Sequence, residues 1–260
     1  MTRIVLLVFL VLAAAASAGC AMWGEEPDPT RDWSAQRLYD TAKSSLDRGA
    51  YEEATGYYDK LEVRYPFGPL AMQAQLDRIY AYYKSDKPSQ ALAAADRFIK
   101  LHPRHPNVDY AYYLKGLVRF VGGKSFVDRF VTKDLSQHDS GAALQSFRAF
   151  EELVQRFPES RYGEDSRQRM LYLKNILAAH EIHVARWYVK RGAWLAAANR
   201  ARYVIENYQG TPAVSDALAV LTLAYRKLEL DDLSADADRV LKLNYPDHSG
   251  LDGAGSQPSR

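Results

Sequence analysis

Residues Leu38–Pro66 read LYDTAKSSLDRGAYEEATGYYDKLEVRYP, and residues Phe67–Pro103 read FGPLAMQAQLDRIYAYYKSDKPSQALAAADRFIKLHP. The two stretches are one pattern written twice. In the first, Leu38, Ala42, Gly49, Tyr51, Ala54, Tyr58 and Leu61 lead to Tyr65-Pro66. In the second, Ile79, Tyr82, Ala91, Ala95 and Phe98 lead to His102-Pro103. Ala91 follows Ala54 by 37 residues, and Pro103 follows Pro66 by the same interval. Apolar positions at helical spacing, interrupted once and stopped by proline, predict a pair of amphipathic helices in each copy. Proline ends each pair because it lacks an amide hydrogen and crowds the preceding turn.

Small residues such as Ala42 and Ala54 fall on facing sides of two antiparallel helices and let the backbones approach, while Tyr58 and Phe98 fill the gap to the next hairpin. A period in the mid-thirties with this small–aromatic–proline order is the tetratricopeptide signature, in which a hairpin buries its apolar face only by stacking on its neighbours. Outward from this pair, Asn107 to Val121 starts a third hairpin, with Gly116 at a close-contact position, and its partner helix runs from about Gly141 to Phe157. Ser160 to Arg191 is a long helical segment that Gly192-Ala193-Trp194 turns into another helix, ending near Tyr208. A last hairpin spans Ala213 to Tyr245-Pro246. The helix-ending residues Tyr65, His102, Phe157, Tyr208 and Tyr245 recur at intervals of 37, 55, 51 and 37. The longer ones reflect an insertion over 122–140, carrying Phe126 and Phe130, and the lengthened helix before Gly192. The expected fold is all-α: a right-handed superhelical solenoid of about five tetratricopeptide-like hairpins.

The totals agree with packed helices: 260 residues, 47% apolar, with eighteen tyrosines. A net charge of +2 gives no reason to expect a nucleic-acid partner. The single cysteine, Cys20, cannot form an internal disulfide. Arg3, an apolar run from Ile4 to Ala16 and the small residues Ser17-Ala18-Gly19 precede it, which is the layout of a secretory signal peptide. Ala-Gly-Cys is similar to the lipobox of bacterial lipoproteins, with Ser17 standing where leucine is usual. That resemblance implies N-palmitoyl and S-diacylglycerol groups on Cys20, and Ala21 in place of aspartate implies the outer membrane as destination. The expected domains are 1–19 signal peptide, 20–32 lipidated cysteine and extended tether, 33–106 repeats one and two, 107–246 repeats three to five, and 247–260 a disordered tail.

Chemistry is sparse. Gly123-Lys124-Ser125 ends like a phosphate-binding loop, but Val118 stands where that motif needs glycine. His180-Glu181-Ile182-His183 spaces its histidines three apart, which fails the zinc-protease pattern. No catalytic residue, metal site or cofactor beyond the acyl groups is expected. Binding is. The first helix of each hairpin lines the concave surface in this repeat class, which places Gln36, Tyr39 and Lys43 there, then Gln73, Leu76, Tyr80 and Tyr83 with Lys84 beside them. Tyrosine joins an apolar ring to a hydrogen-bonding tip and suits extended peptides with aromatic side chains. Lys43 and Lys84 can meet a terminal carboxylate. Asn199-Arg200, within a run of small residues, reads either as surface charge or as a contact to a neighbouring helix or a partner, the second being the expectation.

Arg64-Tyr65-Pro66-Phe67-Gly68-Pro69, Ile79-Tyr80-Ala81-Tyr82-Tyr83-Lys84, Asp96-Arg97-Phe98-Ile99, His105-Pro106-Asn107-Val108-Asp109-Tyr110 and Arg191-Gly192-Ala193-Trp194 together resemble the BamD family. These are lipoproteins of the outer-membrane β-barrel assembly (BAM) machinery. The resemblance implies a periplasm-facing, lipid-anchored scaffold without catalysis. Its implied partners are the POTRA domains of BamA, the other BAM lipoproteins, the outer-membrane lipid and unfolded β-barrel precursors. It further implies that precursor signals ending in an aromatic residue meet the front hairpins, with Tyr65 and Phe67 at a turn bordering the groove, and that Arg200 lies in the half facing BamA. The alternative is another periplasmic tetratricopeptide scaffold lipoprotein, of pilus assembly or the Tol system.

Overall fold

The computed structural model describes residues 28–121 and 140–250, and all regular structure among them is helical. The expected signal peptide, Cys20, Gly123-Lys124-Ser125, Phe126, Phe130 and the residues beyond 250 lie outside the described residues. Among the described residues ten helices pair into five hairpins: α1 (Ala35–Asp47) with α2 (Tyr51–Arg64), α3 (Pro69–Lys84) with α4 (Pro88–Leu101), α5 (Val108–Val121) with α6 (Ser140–Arg156), α7 (Gly163–Lys190) with α8 (Trp194–Asn207), and α9 (Ala213–Lys227) with α10 (Asp231–Asn244). Helix α6 begins at Ser140, one residue before the Gly141 expected from the sequence.

Local chemistry starts and stops these helices. The Ser34 side chain accepts a hydrogen bond from the Arg37 amide at 3.2 Å and caps α1. Pro69 and Pro88 open α3 and α4, where a missing amide hydrogen costs nothing. Each hairpin's second helix ends in the same closing bond, from the amide of Tyr65, His102, Phe157, Tyr208 or Tyr245 to the carbonyl four residues back, at 2.8–2.9 Å. Tight turns inside four hairpins repeat one left-handed residue, at Gly49, Asp86, Gly192 and Glu229 (φ between 56° and 79°). In each, the next amide closes the turn onto the carbonyl five residues back: Ala50 to Ser45, Lys87 to Tyr82, Ala193 to Tyr188, and Leu230 to Tyr225.

Each helix packs on its chain neighbours, and α1 also touches α3, α3 touches α5, and α7 touches α9. First helices therefore line one side of the stack. Small residues set the closeness of the pairs: Ala42, Ala54, Ala91, Ala95, Ala197 and Ala201 have no exposed surface. At α5–α6, Gly116 lies against the ring of Phe150, and the Ser146 hydroxyl donates to the Gly116 carbonyl at 3.0 Å. The 28-residue α7, roughly 42 Å long at 1.5 Å per residue, serves two cores. Leu173 belongs to the middle cluster around Phe98 and Phe150, whereas Ala178, Ile182 and Ala185 belong to the rear one.

Candidate functional site: a tyrosine-lined cleft on the front hairpins

Helices α1, α3 and α5 run side by side and open a cleft of about 380 Å³ between them, lined by Lys43, Asp47, Tyr51, Asp77, Tyr80 and Tyr110 among others. Asp77, on the middle helix, organises it. One carboxylate oxygen of Asp77 accepts from the Tyr39 hydroxyl at 2.9 Å and the Tyr58 hydroxyl at 3.3 Å. The other accepts from the Gln73 side-chain amide at 2.9 Å. Tyr58 is buried and Tyr39 half-buried, so one carboxylate holds rings from α1 and α2 against α3. Tyr80 and Tyr83 meet with their rings tilted, 6.3 Å apart. Tyr162 then stacks between Tyr110 (5.3 Å) and Tyr113 (4.7 Å), extending the aromatic wall towards α7.

Burial, and then the negative charge of Asp77, push the hydroxyls of Tyr39 and Tyr58 far above the ordinary tyrosine value. Burial and the neighbouring Tyr162 do the same to Tyr110. Burial and the bond to Asp165 hold Tyr113 up at about 12. A tyrosine whose folded value exceeds its unfolded value of about 10 stabilises the fold fully below that pH and loses its contribution as the pH rises through the folded value. Alkaline titration above about pH 10 is therefore expected to melt the front hairpins, with tyrosinate absorbance and helix loss rising together. Tyrosinate formation with the helix signal intact would contradict it.

The predicted residues do not all meet here. Lys43 and Tyr80 line the cleft, Tyr39 and Gln73 meet it through their bonds to Asp77, Tyr83 lies beside Tyr80, and Lys84 is exposed at the end of α3. Gln36 is exposed on α1 and donates to Asp40 at 2.8 Å. The expectation for Leu76 is corrected: it is 1% exposed and sits in the core with Phe98, because α3 packs against helices on several sides. Lys43 is ion-paired with Asp47 one turn along. Tyr65 and Phe67 stand at the opposite end of the first hairpin, where the Tyr65 hydroxyl donates to the Trp33 carbonyl at 2.9 Å. Asp77, Tyr51, Tyr110 and Tyr162 were not among the predicted site residues; the spacing of Asp77 four residues after Gln73 was the available signal for the first.

In the rear half, Arg200 of α8 donates to the Glu181 carboxylate of α7 at 3.0 Å and remains half-exposed. Asn199 accepts from Arg202 at 3.1 Å and borders a shallow hollow with Trp194, Leu195 and Leu228. Among the described residues, no group of histidine, cysteine, aspartate and glutamate could hold a metal, and no helix is long and apolar enough to cross a membrane.

A sequence profile described as an outer membrane lipoprotein, YfiO, matches residues 31–241. The chain is 47% identical over 246 residues to the outer membrane protein assembly factor BamD of Neisseria meningitidis serogroup B, covering 95% of this chain and 92% of that protein. It is 38% identical over 218 residues to the protein of the same name from Xylella fastidiosa (Temecula1), covering 84% of this chain and 74% of that one. Against the Vibrio cholerae protein of that name, identity is 35% over 234 residues, covering 90% and 96%.

Proposed function

The chain belongs to the YfiO family of outer membrane lipoproteins, which includes the BamD assembly factors, and from that premise we propose that it is a non-catalytic assembly factor for outer-membrane β-barrel proteins. The front cleft receives unfolded precursors through an extended segment ending in an aromatic residue. The rear hairpins, with Asn199 and Arg200, carry the POTRA domains of BamA, and the other BAM lipoproteins complete the assembly. Acyl groups on Cys20 hold the protein on the periplasmic side of the outer membrane.

The observation that carries the reading is the cleft itself. Its walls are tyrosine rings, which give an aromatic peptide side chain apolar area and leave hydroxyl tips for backbone groups. Its aspartate is already occupied by three neutral donors. Among the described residues Lys43 is held by an exposed i,i+4 pair with Asp47, of a kind worth roughly 0.3–0.5 kcal/mol, so exchanging Asp47 for a peptide carboxylate costs little.

A photo-crosslinking residue placed at Tyr39, Tyr80, Tyr83 or Arg200 in growing cells tests the division of labour. The three front positions are expected to capture barrel precursors, and position 200 the POTRA-bearing BamA. The same partner at both ends, or no precursor at the front while position 200 still captures BamA, would overturn it.

A further inference from the structure

The end of α2 carries a second aromatic cluster, separate from the cleft. Trp33 stacks on Tyr57 with ring centres 5.9 Å apart, and the Arg37 guanidinium lies 4.2 Å over the Trp33 ring. Lys60 stands 6.0 Å over Tyr57. Either side of Tyr65, whose hydroxyl donates to the Trp33 carbonyl, Phe67 is 90% and Val63 82% exposed, the two most exposed large apolar side chains among the described residues. Packing on each other and on the core of the first hairpin explains Trp33 and Tyr57; nothing among the described residues covers Phe67 or Val63.

The same edge is where the chain arrives from its N-terminus. Asp28 accepts from Lys60 at 2.8 Å and is ion-paired with Arg64. Arg64 also donates to the Thr30 carbonyl, and Thr30 is buried. Residues 28–30 are thus strapped to the last turns of α2. Only residues 21–27 separate this strap from Cys20, and a chain of that length spans at most about 28 Å when fully extended. An acyl group at Cys20 keeps the edge within that distance of the bilayer. Charge favours contact: Arg31, Arg37, Lys60 and Arg64 gather along this edge, and the ion pairs of Lys60 and Arg64 there share the single carboxylate of Asp28.

We propose that this edge, led by Phe67 and Val63 with Trp33, Tyr57 and Arg37 behind them, rests on the membrane surface, a phospholipid bilayer with anionic headgroups. The proposal depends on the Cys20 anchor described above. Phenylalanine and valine reach the acyl boundary, tryptophan and tyrosine settle at headgroup level, and the guanidinium and ammonium groups meet phosphates. An acyl anchor alone leaves a protein free to swivel. A second contact a few residues away fixes its orientation and holds the front cleft near the bilayer.

The test uses full-length acylated protein on vesicles of phosphatidylethanolamine and phosphatidylglycerol. Acylation leaves Cys20 without a free thiol, so an environment-sensitive dye reports from one introduced cysteine: Phe67→Cys, Val63→Cys, or Leu243→Cys as a control that is 79% exposed in the last helix. All three sites are surface positions, so labelling does not disturb the core. Dyes at 63 and 67 are expected to shift to the blue and to be shielded from aqueous iodide by roughly threefold or more on vesicles, the dye at 243 remaining unshielded. Protein that floats with the vesicles while the dye at 67 stays as accessible as in solution would overturn the membrane contact and leave the anchor standing. Protein that does not float would overturn the anchor and the contact together. Shielding at 67 by a barrel-precursor peptide, with none from vesicles, would assign the edge to precursor and overturn the proposal.

Discussion

Gly116→Leu is expected to destabilise the protein by about 3 kcal/mol or more, which for a chain of this size lowers the unfolding midpoint by roughly 6–12 °C. A Cβ at Gly116 would meet three atoms of the Phe150 ring at distances real Cβ atoms do not adopt. The ring cannot step aside, because Phe150 has no exposed surface and packs between α5 and α6 in the middle core. Nor can the helices separate freely, since Ser146 is bonded to the Gly116 carbonyl. Gly116→Ala should cost less than leucine but still on the order of 2 kcal/mol. Pairing it with Phe150→Leu should recover part of the loss, giving a favourable coupling in a double-mutant cycle. Urea unfolding followed by helix signal measures all three. A Gly116→Ala protein as stable as the parent would mean that the α5–α6 crossing relaxes without cost.

That crossing was legible in the sequence, and so was the hairpin repeat, because both depend on residues whose size or missing hydrogen acts locally. Tyr65-Pro66, His102-Pro103 and their later counterparts mark helix ends wherever they occur. Gly49 and Gly192 mark the left-handed turns, but Asp86 and Glu229 occupy the same turn position without any such mark. There the helices on either side hold the backbone in a conformation their own residue types do not request. The cleft was half legible for a related reason. Helical phase puts Tyr39, Gln73 and Tyr80 on one side, but it does not give the width of the packed arc on α3, so Leu76 fell on the wrong side of it. Asp77 reads alone as a solvated charge. Its role comes from two tyrosines on two other helices, one of them 38 residues away along the chain, which no local pattern contains. Tyr65 and Phe67 follow the end of α2, where helical phase no longer applies.

Asp77→Leu is expected to cost about 2–4 kcal/mol and to weaken capture of aromatic-ended peptides. The substitution takes the acceptor away from the Tyr39 and Tyr58 hydroxyls and the Gln73 amide at once. Tyr39 and Gln73 can turn towards water, whereas Tyr58 is 1% exposed and its hydroxyl would be left in the core without a partner. Asp77→Asn separates charge from hydrogen bonding: its single oxygen can still accept from both tyrosines, while its amide hydrogens face the Gln73 amide, itself a donor. It should cost roughly 1 kcal/mol and loosen the ring geometry of the cleft. It should also move the alkaline titration in a defined direction. Burial is the leading cause of the raised Tyr39 and Tyr58 values and the Asp77 charge the second, so both should titrate lower in the asparagine variant yet still above an exposed tyrosine. Spectroscopic titration, together with binding of a peptide ending in phenylalanine, reads both effects on one sample. If both tyrosines titrate in the asparagine variant as they do in the parent, the Asp77 carboxylate is not what holds them, and the cleft owes its shape to packing alone.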